Sequence, residues 1–226
     1  MGSGLMERLN AVPVLQALAP WCIEEVGIHR IFPAGRFIFR QGEPTTGLWA
    51  VLQGRVAVER IDAAGRLVII GVWQHELIPT SIPGLWDGGS YVGSCRTLDD
   101  HTETLWIPRE RVLDWLSAVP EFADRLCCYL ADRFLLIQKF DGDTRGRPLP
   151  AQLAVLLNTL AGRLGSDIPL THEDLAHMVG AQRETVTRTL AQFAHQGWID
   201  IRYGHIWVLD GPRLARAAGE IEATSI

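Results

Sequence analysis

The sequence predicts an α+β fold with an antiparallel β sandwich or barrel in its N-terminal half, one long amphipathic helix, and a C-terminal helix-turn-helix followed by a two-stranded wing. Three observations predict it. Short apolar runs alternate with glycine turns between Ile28 and Trp73. Large side chains recur at steps of three and four from Phe122 to Phe140. Finally, two short helical patterns flank Gly180, and two alternating runs then flank Tyr203-Gly204-His205.

Taken in order, Leu9, Val12, Leu15 and Leu18 have helical spacing interrupted by Pro13 and Pro20. Proline has no N–H and clashes inside a helix, so Leu5 to Cys22 reads as short helices. The runs Ile31-Phe32, Phe37 to Phe39, Leu48 to Leu52, Val56 to Val58 and Leu67 to Trp73 then follow, divided by Pro33-Ala-Gly35, Gly42-Glu-Pro44, Gln53-Gly54 and Asp62-Ala-Ala-Gly65. Runs this short between glycine turns predict antiparallel strands. Ile78 to Gly93, rich in Pro and Gly, reads as a loop within the sandwich, with strand character again at Arg96 to Leu98 and Thr104 to Ile107. Val112, Leu113 and Leu116 restore helical spacing.

After Pro120, Phe122, Leu126, Tyr129, Arg133, Leu136 and Phe140 form a heptad-like stripe, and Leu130, Phe134 and Ile137 form a second. One stripe can face the sandwich and the other a partner helix. The first is assigned to the partner. Residues 141–150, dense in Gly, Pro and charge, read as a hinge, and Leu153, Leu156, Leu157, Leu160 and Leu164 mark another helix. The expected domains are 1–117, 118–143 for the long helix, and 144–226.

In the last domain, Leu175, Ala176 and Val179 face inward from a first helix that Thr171 and Asp174 start as a variant capping box. Gly180 supplies the positive φ of the turn. Val186 and Leu190 are the inner face of a second helix, whose outer face holds Arg183, Glu184, Thr187 and Arg188. An arginine fork matches the two acceptors of a guanine edge, and a glutamate accepts from a cytosine amino group, so this face suits G·C pairs in a major groove. Thr171, His172, Gln182 and Thr185, with Arg202 and His205 of the wing, are expected at the phosphates. The plainer alternative is a solvated charged face.

The net charge is −5 over 226 residues, which argues against a protein that coats nucleic acid indiscriminately. Site-specific binding needs positive charge only where the protein docks. No apolar run is long enough to cross a bilayer and no signal-peptide pattern opens the chain, so a cytoplasmic protein is expected. Cys22, Cys95, Cys127 and Cys128 have no C-x-x-C spacing.

This order of parts resembles the CRP/FNR family of bacterial transcription regulators across nearly the whole chain. Its carriers are Leu175-Ala176 through Arg183-Glu184-Thr185-Val186-Thr187-Arg188 and the glycines Gly35, Gly42, Gly54 and Gly65. The resemblance implies an N-terminal jelly roll that senses an effector, a dimerisation helix, and a winged helix-turn-helix whose Arg183, Glu184 and Arg188 read a TGTGA-type half-site. It also implies a homodimer with recognition helices about 34 Å apart on a palindrome, and RNA polymerase as a partner.

Members that bind cyclic nucleotides carry a Gly-Glu-Leu turn and an Arg-Ser pair. Aligned back from Leu105-Trp106-Ile107, this chain reads Ser81-Ile82-Pro83-Gly84 and Tyr91-Val92-Gly93-Ser94 instead. Ile82 cannot hold a ribose hydroxyl and Val92 cannot neutralise a phosphate, so no cyclic nucleotide is expected. Trp49, Trp73, Leu85, Trp86 and Tyr91 suggest a pocket for an apolar or aromatic molecule, with Arg96 as a rebuilt anion site. Core packing explains the same residues.

No cofactor is predicted. An iron-sulfur cluster lacks its N-terminal cysteines. Haem would have His75 as its one candidate ligand. A thiol switch at Cys95, Cys127 or Cys128 beside Arg96 or Arg125, or a constitutive regulator with no effector, stays open. A cupin-like metalloenzyme is the remote alternative, because His75-Glu76 lacks a second histidine; neither an enzyme nor a metal site is expected.

Overall fold

The computed structural model describes residues 7–144 and 146–223. The chain divides into two units, 1–133 and 134–226, so the division falls inside the long helix rather than at the expected hinge.

In the first unit, β1 (Ile28–Phe32), β7 (Thr102–Pro108) and β3 (Gly47–Gln53) form one sheet in the order β1-β7-β3. The other sheet has the order β2-β6-β4-β5, with β2 Phe37–Phe39, β6 Ser94–Thr97, β4 Val56–Ile61 and β5 Leu67–Trp73. All pairings are antiparallel, and the crossovers between non-consecutive strands are those of a jelly roll.

Strand β3 explains why its sequence is apolar throughout. Side chains alternate between faces of a strand. Leu48, Ala50 and Leu52 join one buried cluster with Leu9, Val12, Leu15, Ile23, Leu105 and Ile107, while Trp49 and Val51 join a second with Phe39, Val56, Val58, Trp73 and Tyr91. Helices cover one face of the sheet and the opposing sheet covers the other, so neither face is left for polar residues. Gly54 turns β3 into β4 at φ 79°.

The helical elements here include a 3₁₀ turn at Pro13–Ala17, α1 (Pro20–Val26), a second turn at Pro79–Ser81, α2 (Gly84–Asp87), α3 (Arg109–Ala118) and the start of α4 (Pro120–Thr144). The segment expected as plain loop thus contains a 3₁₀ turn and the one-turn helix α2.

Helix α4 corrects the stripe assignment. Phe122 is fully buried and Leu126 is 2% exposed, both in the cluster with Leu48 and Ile107. Tyr129 donates its hydroxyl to the Leu77 carbonyl at 2.6 Å, and Arg133 Nη1 pairs with Glu76 Oε2 at 2.8 Å. These four residues therefore face their own sandwich and are not available to a partner helix. Leu136 is half-buried, and the side chain of Phe140 lies outside the described ones. The reason is packing: the outer face of β3 and β7 needs an apolar cover, and the bulkier stripe supplies it. The opposite stripe is the open one, with Leu130 38%, Phe134 60% and Ile137 59% exposed.

The second unit contains α5 (Leu149–Leu164), β8 (Asp167–Ile168), α6 (His172–Val179), α7 (Arg183–His195), β9 (Ile199–Arg202), β10 (His205–Val208) and α8 (Gly211–Ala223). Its strands form a sheet in the order β8-β10-β9. Strand β8 and helix α8 have no counterpart in the sequence reading. Helix α8 packs against α5 and buries Leu214 and Ala217. Leu153, Leu157, Leu175, Val186, Leu190 and Ile206 are buried in this unit.

Candidate nucleic-acid interface

Helix α6 begins with a reciprocal capping box: Thr171 Oγ1 accepts from the Asp174 amide at 3.1 Å, and Asp174 Oδ2 accepts from the Thr171 amide at 2.9 Å. Gly180, at φ 66°, ends it. The small Ala176 and the branched Val186 are both buried where α6 and α7 pack together.

Burial along α7 follows helical period. Val186, Thr189, Leu190 and Phe193 face inward, while Arg183, Glu184, Thr187 and Arg188 are exposed and line one shallow depression with Ala191. Several arginines elsewhere are tied to carboxylates, as in Arg55 with Asp99 and Arg133 with Glu76. Among the described residues no ion pair engages Arg183, Glu184 or Arg188. Two forks and one carboxylate are thus held outward on the first turns of a helix, ready to exchange hydrogen bonds with base edges. No side chain caps Gln182, which leaves the first amides of α7 open to an anion.

The remaining phosphate candidates sit around this helix. Thr171 and Gln182 are exposed and Thr185 is half-buried. His172 is half-buried, and its Nδ1 lies 3.0 Å from Thr187 Oγ1. Burial, and then the nearby positive charge of Arg183, hold His172 below the usual imidazole range. In the wing both expected phosphate contacts already have partners: Arg202 Nε is 2.9 Å from Asp200 Oδ2 and lies over the Trp207 ring, and His205 Nδ1 is 2.7 Å from Asp167 Oδ1. Tyr203, between them at the wing tip, is fully exposed. Sequence reading passed over it, although an aromatic residue beside the turn Gly204 is the signal.

The residues expected to line an effector pocket do not share one site. Trp49 donates its indole N–H to the Tyr91 hydroxyl at 3.1 Å, and Tyr91 stacks on Phe39 with ring centroids 4.0 Å apart. Trp73 packs in the same cluster. Leu85 belongs to the other cluster, Trp86 is exposed, and Arg96 pairs with Glu59 at 3.3 Å. Trp49, Trp73 and Tyr91 pack between the sheets in one buried cluster with Phe39, Val51, Val56, Val58 and Cys95. Ile82 is buried on the helical side and Val92 is exposed, so Tyr91, not Val92, points into the sandwich.

Cys95 is fully buried, and burial, with Glu59 adding to it, pushes its thiol well above the ordinary value despite Arg96. It is not the activated thiol considered above. Cys127 and Cys128 are exposed, and Arg125 is engaged by Glu121, Gln16 and the Pro13 carbonyl. His75 is exposed, adopts φ 50°, and holds the Leu52 carbonyl through Nδ1. Glu103 was not anticipated: it is nearly buried and gathers Arg8, His29 and His101.

Comparison with known proteins places both units. The Crp-like helix-turn-helix domain matches residues 151–217, and the cyclic nucleotide-binding domain matches residues 29–118. The chain is 31% identical over 201 residues to the CRP-like cAMP-activated global transcriptional regulator of Mycobacterium tuberculosis, covering 83% of this chain and 86% of that one. It is 30% identical over 228 residues to the cyclic AMP receptor protein of Thermus thermophilus, covering 93% and 98%. A crp/fnr-family regulator from Eubacterium rectale has the same fold, with TM-score 0.72 at 21% identity over 93% of this chain and 99% of that one. With a jelly roll, a long helix and a helix-turn-helix in that order, the chain belongs to the CRP/FNR family of DNA-binding transcription regulators.

Proposed function

We propose that this regulator binds a palindromic site as a homodimer, with Arg183, Glu184, Thr187 and Arg188 reading G·C-containing half-sites of TGTGA type, and that its effector is not a cyclic nucleotide. The observation that carries the reading is the exposed and unpaired state of the two arginines and the glutamate on α7. The open stripe Leu130, Phe134 and Ile137 on α4 supports pairing of two copies, since apolar residues at steps of four and three form a coiled-coil seam. RNA polymerase is the expected partner of the DNA-bound dimer.

Supporting the effector half is the packing of Tyr91 against Trp49 and Phe39 between the sheets. A cyclic phosphate placed there would have to displace Tyr91 from Trp49 and Phe39, and would find an aromatic ring where a counter-charge is required. Light scattering of the full chain, with binding to TGTGA and scrambled duplexes with and without cyclic AMP, tests all parts together. A monomer, equal binding to both duplexes, or strong dependence on cyclic AMP would each contradict the corresponding part.

A further inference from the structure

The hydrogen bond between His172 and Thr187 joins the two helices of the DNA-binding motif at its exposed edge. His172 is the first residue of α6, placed by the Thr171 capping box, and Thr187 is one of the four exposed residues on the outer face of α7. A threonine on a recognition surface has two chemistries to offer. Its hydroxyl can bond to either a donor or an acceptor and so discriminates poorly, whereas its methyl makes an apolar contact suited to the thymine 5-methyl group. Here the hydroxyl is already engaged, with Oγ1 3.0 Å from His172 Nδ1.

We propose that His172 is a positioning residue for base reading: by holding the Thr187 hydroxyl toward α6 it leaves the methyl as the group presented to the groove, so that Thr187 selects a thymine through its 5-methyl. The inference rests on the reading of α7 as the recognition helix. Among the charged groups around the imidazole, Glu173 and Asp174 lie on its own helix. Asp174 is occupied by the capping box, and Arg183 faces it from α7. Arg183 and burial both disfavour the imidazolium. The neutral ring keeps a lone pair for the Thr187 O–H. The arrangement spends one polar group to turn an ambiguous side chain into a selective one, and it gives the half-buried His172 a role besides phosphate contact.

The test is fluorescence anisotropy of the full chain on a duplex with two TGTGA half-sites and on matched duplexes in which one thymine at a time is replaced by uracil, which removes only the 5-methyl. Burying one methyl-sized group corresponds to about a fourfold change in affinity. The wild type is expected to show such a loss at one thymine of the half-site. Thr187→Val, which keeps the methyl, should retain it, and Thr187→Ser, which keeps only the hydroxyl, should abolish it. His172→Ala should bind the thymine duplex yet discriminate less than about twofold, and His172→Asn, whose amide stands where Nδ1 does, should restore the preference. Wild-type protein that prefers the palindrome over a scrambled duplex but ignores every uracil would overturn the proposal. So would His172→Ala weakening thymine and uracil duplexes in the same ratio, the signature of a merely structural role. Failure to prefer the palindrome at all would instead overturn the recognition-helix reading and the inference with it. The Thr187 variants decide whether the methyl is read, and His172→Asn, if it shows no thymine preference, overturns the positioning role even where His172→Ala does not fold.

Discussion

Trp49 and Tyr91 are hydrogen-bonded to each other at 3.1 Å inside the sandwich, in the space between the two sheets. The pair ties β3 to the segment before β6 within one buried cluster. Tyr91→Phe leaves the Trp49 N–H buried without its acceptor, at an expected cost of about 1–3 kcal/mol. Tyr91→Ala opens a cavity and should cost about 3–5 kcal/mol, by analogy with other large-to-small aromatic changes. Urea unfolding of both variants checks the order. Equal stability of wild type and Tyr91→Phe would show that the bond is not made.

Arg183→Ala should weaken binding at its matched G·C pair by about 1–3 kcal/mol and relax the preference there. A panel of single base-pair substitutions in the half-site measures this. The loss should appear on the matched sequence and shrink on the substituted one. Uniform loss over all sequences would place Arg183 on a phosphate instead.

The two faces of α4 should respond differently to mutation. Phe122→Ala removes a fully buried ring and should cost about 3–5 kcal/mol of stability. Phe134→Glu, on the open stripe, should leave the fold of each chain intact and shift the protein to monomer. Circular dichroism with light scattering separates the two outcomes.

Glu103 gives the fold a dependence on acid. Burial raises its pKa, but hydrogen bonds from His101 and His29 and the charge of Arg8 outweigh this, and its carboxyl is held below the ordinary value of 4.5. A carboxylate whose folded pKa is lowered binds fewer protons folded than unfolded, so its stabilisation is present above the unfolded value and is lost as pH falls through the folded one. Stability of the wild type should therefore fall faster than that of Glu103→Gln as pH drops below about 4.5. Parallel pH profiles in thermal unfolding would contradict the assignment.

The sequence reading located most of this architecture because the relevant signals are local. The capping box at Thr171, the positive φ of Gly180 and the alternation of β3 each follow from neighbouring residues. What it misassigned depends on which surface a side chain meets. Phe122 and Leu130 lie on two stripes with the same repeat, and only the uncovered faces of β3 and β7 decide which one turns inward. Likewise, an aromatic cluster such as Trp49, Trp73 and Tyr91 has one composition whether it lines a pocket or fills it. Glu103 was invisible because its partners Arg8 and His29 are distant in sequence. Helix α8 was passed over, although Leu214 and Ala217 are spaced as its buried face.

The most direct test of the account is the stoichiometry and sequence preference of the full chain on one TGTGA palindrome, measured by anisotropy against a scrambled duplex at physiological salt. The account predicts two chains per duplex and a preference on the order of a thousandfold. One chain per duplex, or equal affinity for both sequences, would contradict it.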